Sequence, residues 1–273
     1  MDSFKGKNIL ITGASSGIGE GLVHELAFQG AQLILLARRK DRLDSLAAKL
    51  KQRYPNIKMH ICVADVSSDE SINLAIRDAI AQQGELDVVI ANAGFGVAGE
   101  VLDLSIEDYR RQFETNVFGV LRTVQQTVPS LKKTKGRLAI VGSVNGYVAL
   151  PGISAYAMSK FSVRALCDAL YHELRPFNIS VTHIAPGFVV SEIRRVNNLG
   201  KLKSKSKDPI PMWLQMPVAL ASKKIVRAIL RRKRERVLTG HGWWMVKLYR
   251  FFPDAVFTIV KVFKIKARLE PIQ

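Results

Sequence analysis

Asn8-Ile9-Leu10-Ile11-Thr12-Gly13-Ala14-Ser15-Ser16-Gly17-Ile18-Gly19 joins a short aliphatic run to a glycine-rich turn, and a stretch of helical length follows it. Backbone N–H groups at the start of such a helix, aided by its dipole, make a seat for a pyrophosphate. Gly13, Gly17 and Gly19 are spaced Gly-x-x-x-Gly-x-Gly and not Gly-x-Gly-x-x-Gly, with Ser15, Ser16 and Ile18 filling the turn.

Outward from this point the pattern repeats. Aliphatic or β-branched runs at 8–12, 32–37, 58–63, 87–91, 137–142 and 180–185 alternate with amphipathic stretches, which predicts an α/β fold: a doubly wound, Rossmann-type parallel sheet with helices on both faces. In 41–54 the apolar positions Leu43, Leu46, Ala47 and Leu50 recur at three and four residues before Pro55 stops the helix. Long helices are expected at 106–131 and 154–175, a further one at 218–232, and a short strand near Val237. Between 188 and 217 the pattern fails, and three prolines with alternating lysines at 201–207 predict a long mobile loop. The expected division is one dinucleotide-binding domain over 1–239 and a basic, aromatic extension over 240–273.

The end of the second strand chooses between cofactors, because a carboxylate there would hydrogen-bond a ribose 2′-hydroxyl whereas a cation would meet a 2′-phosphate. The sequence is Ala37-Arg38-Arg39, so NADP(H) is expected. Tyr156 and Lys160, four residues apart, share one helix face. A nearby cation lowers the pKa of a phenol, which is ordinarily near 10, toward working pH and makes it a proton donor and acceptor.

With the glycine turn, Asn92-Ala93-Gly94, Asn116, Ser143, Tyr156 and Lys160 in this order, the chain resembles the short-chain dehydrogenases/reductases over about residues 5–190. The resemblance implies that Tyr156 is the general acid/base, that Ser143 orients the carbonyl or hydroxyl, and that Lys160 holds the nicotinamide ribose and lowers the tyrosine pKa. It implies also that Asn116 helps hold a proton-relay water. Asp65 and Val66 would lie beside the adenine, Asn92, Ala93 and Gly94 along the cofactor, and Arg38 against the 2′-phosphate. Pro186, Gly187 and Val189 fall in the turn after the sixth strand. Ser191 stands where the family more often has a threonine, and Ala91 where an asparagine is common.

The chain has 273 residues, 48% of them hydrophobic, and a net charge of +18, which excludes disorder as its overall state. Two cysteines and five scattered histidines exclude a disulfide framework and give no sequence support for a metal site. No apolar run reaches the roughly 20 residues of a membrane span, and no signal peptide is evident, so a cytoplasmic location is expected.

Charge is uneven: residues 194–273 carry 20 Lys and Arg against four acids, a net +16, leaving +2 for residues 1–193. In the tail Trp243, Trp244, Phe251 and Phe252 precede a segment whose polar positions Asp254, Thr258, Lys261, Lys264 and Arg268 oppose Val256, Ile259, Val260 and Phe263. Such a basic amphipathic segment suits an anionic membrane surface, which would place the protein peripherally on the cytoplasmic face. A segment packed over the substrate pocket or against a partner subunit is the alternative, and the stretch is too apolar for nucleic acid.

These features predict an NADP(H)-dependent oxidoreductase interconverting a carbonyl and an alcohol, on a lipophilic substrate if the tail meets membrane. A soluble reductase of 3-ketoacyl groups on a carrier protein and a non-catalytic NADP sensor or scaffold are the rival readings. The family habit implies a homodimer or homotetramer.

Overall fold

The aliphatic runs form the seven strands of one parallel sheet: β1 (Asn8–Thr12), β2 (Gln32–Ala37), β3 (Met59–Val63), β4 (Val88–Ala91), β5 (Arg137–Val141), β6 (Ser180–Ala185) and β7 (Glu235–Val237). They lie in the order β3-β2-β1-β4-β5-β6-β7. The computed structural model describes residues 3–199, 208 and 210–263. Alternate residues of each strand point to opposite faces. Ile9, Ile11, Leu33 and Leu35 therefore enter one core with α1 (Gly17–Phe28), α2 (Lys40–Arg53) and α7 (Val218–Leu230). Leu10, Ile34, Leu36 and Val89 enter the other, with α3 (Asp69–Gln83), α5 (Gly119–Thr134) and α6 (Ser154–Glu173).

Ile9 pairs with Leu33 on one side and Val88 on the other, so the chain reverses its winding between β1 and β4. In open parallel sheets that reversal leaves a crevice at the strands' carboxyl ends, where ligands bind. The glycine turn after β1 and Asn92-Ala93-Gly94 after β4 emerge there.

Two expectations need correction. The predicted helix over 106–131 is interrupted: α4 (Ile106–Phe113) and α5 are separated by a π-helical turn at Glu114–Phe118. A Ser105–Asp108 capping box starts α4, and the wider turn after it presents Asn116 inward, fully buried.

Over its described residues, the segment predicted as a mobile loop is pinned. Val190 N donates to Met216 O (3.1 Å) and Met216 N to Phe188 O (2.8 Å), while Asn198 exchanges hydrogen bonds with the backbone of Ala98 at 3.1 and 3.0 Å. Absence of periodicity in the sequence reflects an irregular, tertiary-bonded path there. Residues 201–207 lie outside the described residues.

The tail forms two helices, α8 (Gly240–Phe251) and α9 (Pro253–Val262). Pro253 has no N–H to continue α8, and it opens α9 at a position where none is needed. Val256 is 2% exposed and packs with Tyr147, Val148 and Ala185, joined by Tyr249 and Val260. Ile259 and Phe263, grouped with Val256 on the apolar side of the segment, are exposed. Lys264 and Arg268 lie outside the described residues.

Candidate active site

Conformation and crowding explain the glycines of the first turn. Gly13 and Gly17 have φ of +67° and +56°, which side chains disfavour. A Cβ on Gly13 would also lie 2.9 Å from Ala93 Cα, and one on Gly19 would lie 2.1 Å from Gly13 O. Asn92 clamps this turn, its Nδ2 donating to Thr12 O (2.9 Å) and Gly13 O (3.3 Å). Thr12 Oγ1 accepts from the N–H groups of Asn92 and Ala93, both at 3.0 Å. Asn92 thus shapes the cradle.

One cavity of about 730 Å³ runs from this turn past the ends of β2, β4, β5 and β6. One end holds Ser15, Ser16, Arg38, Arg39, Asp65 and Val66, and the other Ser143, Tyr156, Lys160 and Ser191. Arg39, more than Arg38, is built into the first end: its Nη2 donates to Ser16 Oγ (2.8 Å) and Ser15 Oγ (3.2 Å). Arg38 is mostly exposed and lies 3.5 Å from Asp65 Oδ2. Partial burial raises the Asp65 carboxyl, and hydrogen bonds from Ser67 with the Arg38 charge more than offset this, leaving it below the usual carboxylate range. The hydroxyls, guanidinium groups and glycine cradle fit a dinucleotide.

At the opposite end, Ser143 follows β5 by two residues, and Tyr156 and Lys160 lie on α6. Lys160 Nζ donates to Val141 O at 3.0 Å and stands 5.7 Å from the centroid of the Tyr156 ring. Burial pulls its ammonium down to about 8. Burial likewise raises the Tyr156 phenol, against lowering by Ser143 and by the Arg194 charge. Of the charged groups around it, Arg194 pulls the phenol down, and burial outweighs that pull.

Asn116 is committed through its side chain. Its Oδ1 accepts from Phe95 N (3.1 Å), and its Nδ2 donates to Phe95 O (3.0 Å) and Ser159 Oγ (3.2 Å). It braces the backbone after Gly94 against the helix of Tyr156. A Cβ on Gly94 would lie 3.0 Å from Asn116 Oδ1.

Pro186 O accepts from Val144 N (2.9 Å), tying the turn after β6 to the segment of Ser143. Gly187 is required by close approach, since a Cβ there would lie 2.2 Å from Thr239 Oγ1 and 2.8 Å from His241 Nε2. Val189 is buried along the cavity, and its carbonyl accepts from Arg194 Nη2 (3.1 Å). Ser191 borders Gly17, whose added Cβ would lie 3.3 Å from Ser191 Cβ.

Sequence reasoning missed much of the cavity wall, including four residues with polar or sulfur side chains. Arg194 pairs with Asp208 (2.6 Å) and Gln215 (3.1 Å), Glu192 faces the arginines, and His241 and Met245 of α8 line the same cavity. No motif or periodicity marks them. His241 accepts weakly from Phe188 N (3.4 Å) and stacks on its ring. Among the described residues no cluster of His, Cys, Asp and Glu could hold a metal ion.

A dinucleotide cradle ending beside a serine, a tyrosine and a lysine defines an NAD(P)-dependent dehydrogenase/reductase of the Rossmann type. Residues 7–201 match the short chain dehydrogenase family, and the chain belongs to it. It is 36% identical over 265 residues to a dehydrogenase/reductase SDR family protein 7-like of Anopheles gambiae, covering 94% of this chain and 82% of that one. An alcohol dehydrogenase from Thermococcus sibiricus, solved with 5-hydroxy-NADP, superimposes with a TM-score of 0.73 at 28% identity, over 86% of this chain and 96% of its own. A short-chain dehydrogenase/reductase from Burkholderia phymatum, solved with NAD, shares the fold over both full chains with a TM-score of 0.82 at 22% identity.

Proposed function

We propose that the protein reduces a lipophilic ketone or aldehyde to its alcohol using NADPH. The observation that carries this is one cavity with Ser143, Tyr156 and Lys160 at one end and Arg38, Arg39, Ser15 and Ser16 at the other. A nicotinamide bound there supplies a hydride to the carbonyl carbon. Tyr156 gives its phenolic proton to the carbonyl oxygen as charge develops on it, and Ser143 holds the same oxygen by hydrogen bonding. Lys160, at the inner end, holds the nicotinamide ribose. Asn116 keeps Phe95 and Ser159 in place and borders the route by which Tyr156 is reprotonated. Gly13, Ser15, Ser16, Gly17, Ile18 and Gly19 hold the pyrophosphate, and Arg38 and Arg39 the 2′-phosphate. The direction rests on the usual reductive role of NADPH.

The lipophilic character of the substrate is supported by the pocket mouth. Ile210, Leu214, Met245 and Val148 line the cavity, while Trp213, at 84% exposure, adjoins Leu214 and the exposed Trp243 and Trp244 adjoin Met245. With Phe251, Phe252 and Phe257 also exposed among Lys247, Arg250 and Lys261, the outer side of the tail suits an anionic membrane surface, and the inner side walls the pocket. No described helix is long and apolar enough to cross a membrane. The exposed Phe118, Met158 and Phe161 support self-association through the π-helical turn before α5 and through α6, which sedimentation measures. Turnover of NADPH with a panel of carbonyl compounds tests the reaction, and a wild type that oxidises none of it would refute the reading.

A further inference from the structure

We propose that Glu192 is a specificity-determining residue, a carboxylate that competes with the cofactor 2′-phosphate for Arg39. This rests on the NADP(H) reading above. Glu192 opens the short 3₁₀ turn Glu192–Arg195 beside Ser191, across the cleft from α2, and lines the cofactor cavity. Its Oε2 lies 2.7 Å from Arg42 Nη1 and 3.5 Å from Arg39 Nη1. The other nitrogen of the Arg39 fork, Nη2, is held by Ser16 and Ser15, so this guanidinium is fixed between the pyrophosphate turn and Glu192.

Carboxylates and phosphate monoesters are alternative acceptors for a guanidinium fork. Held on the same arginine, the two anions would repel one another across a partly buried cleft. The end of β2 has no acid to favour a ribose 2′-hydroxyl. Glu192 supplies one from the facing wall. An uncharged 2′-hydroxyl is compatible with a nearby carboxylate, whereas a 2′-phosphate must displace it from Arg39. Partial burial raises the Glu192 carboxyl, but Arg42 and Arg39 more than offset this and hold it below the usual carboxylate range, so the competitor is ionised at neutral pH.

Calorimetric titration of the full-length wild type and Glu192→Gln with NADPH and with NADH tests this. The ratio of the two dissociation constants is expected to move about 3- to 10-fold toward NADPH in the variant. In an Arg39→Gln background the same change is expected to move the ratio less than twofold. A ratio within twofold of wild type, or one moving toward NADH, overturns the proposal, as does a full shift that persists without Arg39, which would make Glu192 a diffuse charge. If the wild type prefers NADPH and Glu192→Gln changes nothing, only this proposal fails. If the wild type binds both cofactors equally and Arg38→Ala and Arg39→Gln leave that unchanged, the NADP(H) reading and this proposal fail together.

Discussion

Lys160 Nζ and the carbonyl of Val141 are 3.0 Å apart, so the lysine on α6 is hydrogen-bonded to the end of β5 while its charge stands 5.7 Å from the centroid of the Tyr156 ring. Burial raises the phenol, and Ser143 and the charge of Arg194 pull it down. Within α6, sequence spacing brings Tyr156 and Lys160 to one face; the sheet decides what each of them meets.

Tyr156→Phe is expected to fold, to keep its cofactor affinity and to lose at least about 100-fold in turnover, the lower end of a general acid/base contribution. Lys160→Ala is expected to lower turnover and to weaken cofactor binding. A stopped-flow assay paired with calorimetry separates the two effects. A Tyr156→Phe protein with wild-type turnover refutes the assignment.

Arg194 lowers the Tyr156 phenol, so Arg194→Gln raises it. In the direction of alcohol oxidation Tyr156 acts as the base and must lose its proton first. The rising limb of rate against pH is therefore expected to move to higher pH in Arg194→Gln. An unmoved limb would show that the guanidinium serves only to pin Asp208 and Gln215 in the loop.

Arg39 is anchored on the glycine turn and Arg38 is mostly exposed, so Arg39→Ala is expected to cost more NADPH affinity than Arg38→Ala. A charge-assisted hydrogen bond contributes about 1.5–3 kcal/mol, roughly 10- to 100-fold in dissociation constant. NADH affinity serves as the control, and equal losses with both cofactors would argue against 2′-phosphate recognition.

His183 is buried on β6, its Nδ1 is 3.0 Å from the Tyr147 hydroxyl, and its Nε2 faces Gly142 without a partner. Burial pulls it from 6.5 down to about 3. The folded protein thus keeps it neutral while the unfolded chain protonates it below about 6.5. Stability from this group is complete above that pH and is lost as pH falls toward 3, with a slope approaching one proton, about 1.4 kcal/mol per pH unit. Urea unfolding of wild type and His183→Gln at pH 7 and pH 5 should show a smaller pH effect in the variant.

The tail is both wall and surface, which governs how its membrane role is tested. Removing 240–273 would uncover Tyr147, Val148 and Ala185 and destabilise the fold. Trp244 and Phe252, at 69% and 63% exposure, are better targets. Trp244→Ser/Phe252→Ser is expected to keep the wild-type melting temperature and to reduce flotation with anionic vesicles several-fold. Wild type should bind neutral vesicles less than anionic ones, and salt should weaken the attachment without abolishing it. No flotation of the wild type at low salt would end the membrane reading.

The parallel sheet and the cofactor cradle were legible in the sequence because both rest on local chemistry. Strands buried on both faces read as continuous aliphatic runs, and glycine is demanded wherever φ is positive or backbones crowd, as at Gly13 and Gly19. Tyr156 and Lys160 were legible as neighbours because four residues bring them to one helix face, whereas Ser143 was marked by resemblance to a family and not by local chemistry. Other features arose only when distant segments met. Arg194 on Asp208, Glu192 on Arg39 and Arg42, and His241 on Phe188 are contacts across 14 to 153 residues of chain with no periodicity to announce them. The π-helical turn that buries Asn116 depends on Phe95 and Ser159, which lie 21 and 43 residues away. Likewise the tail's amphipathic pattern allowed several buried faces. Seating Val256 against Tyr147 and Val148 chose one of them and left Ile259, Phe263 and the tryptophans exposed to solvent, because burial is a property of the partner surface as much as of the helix.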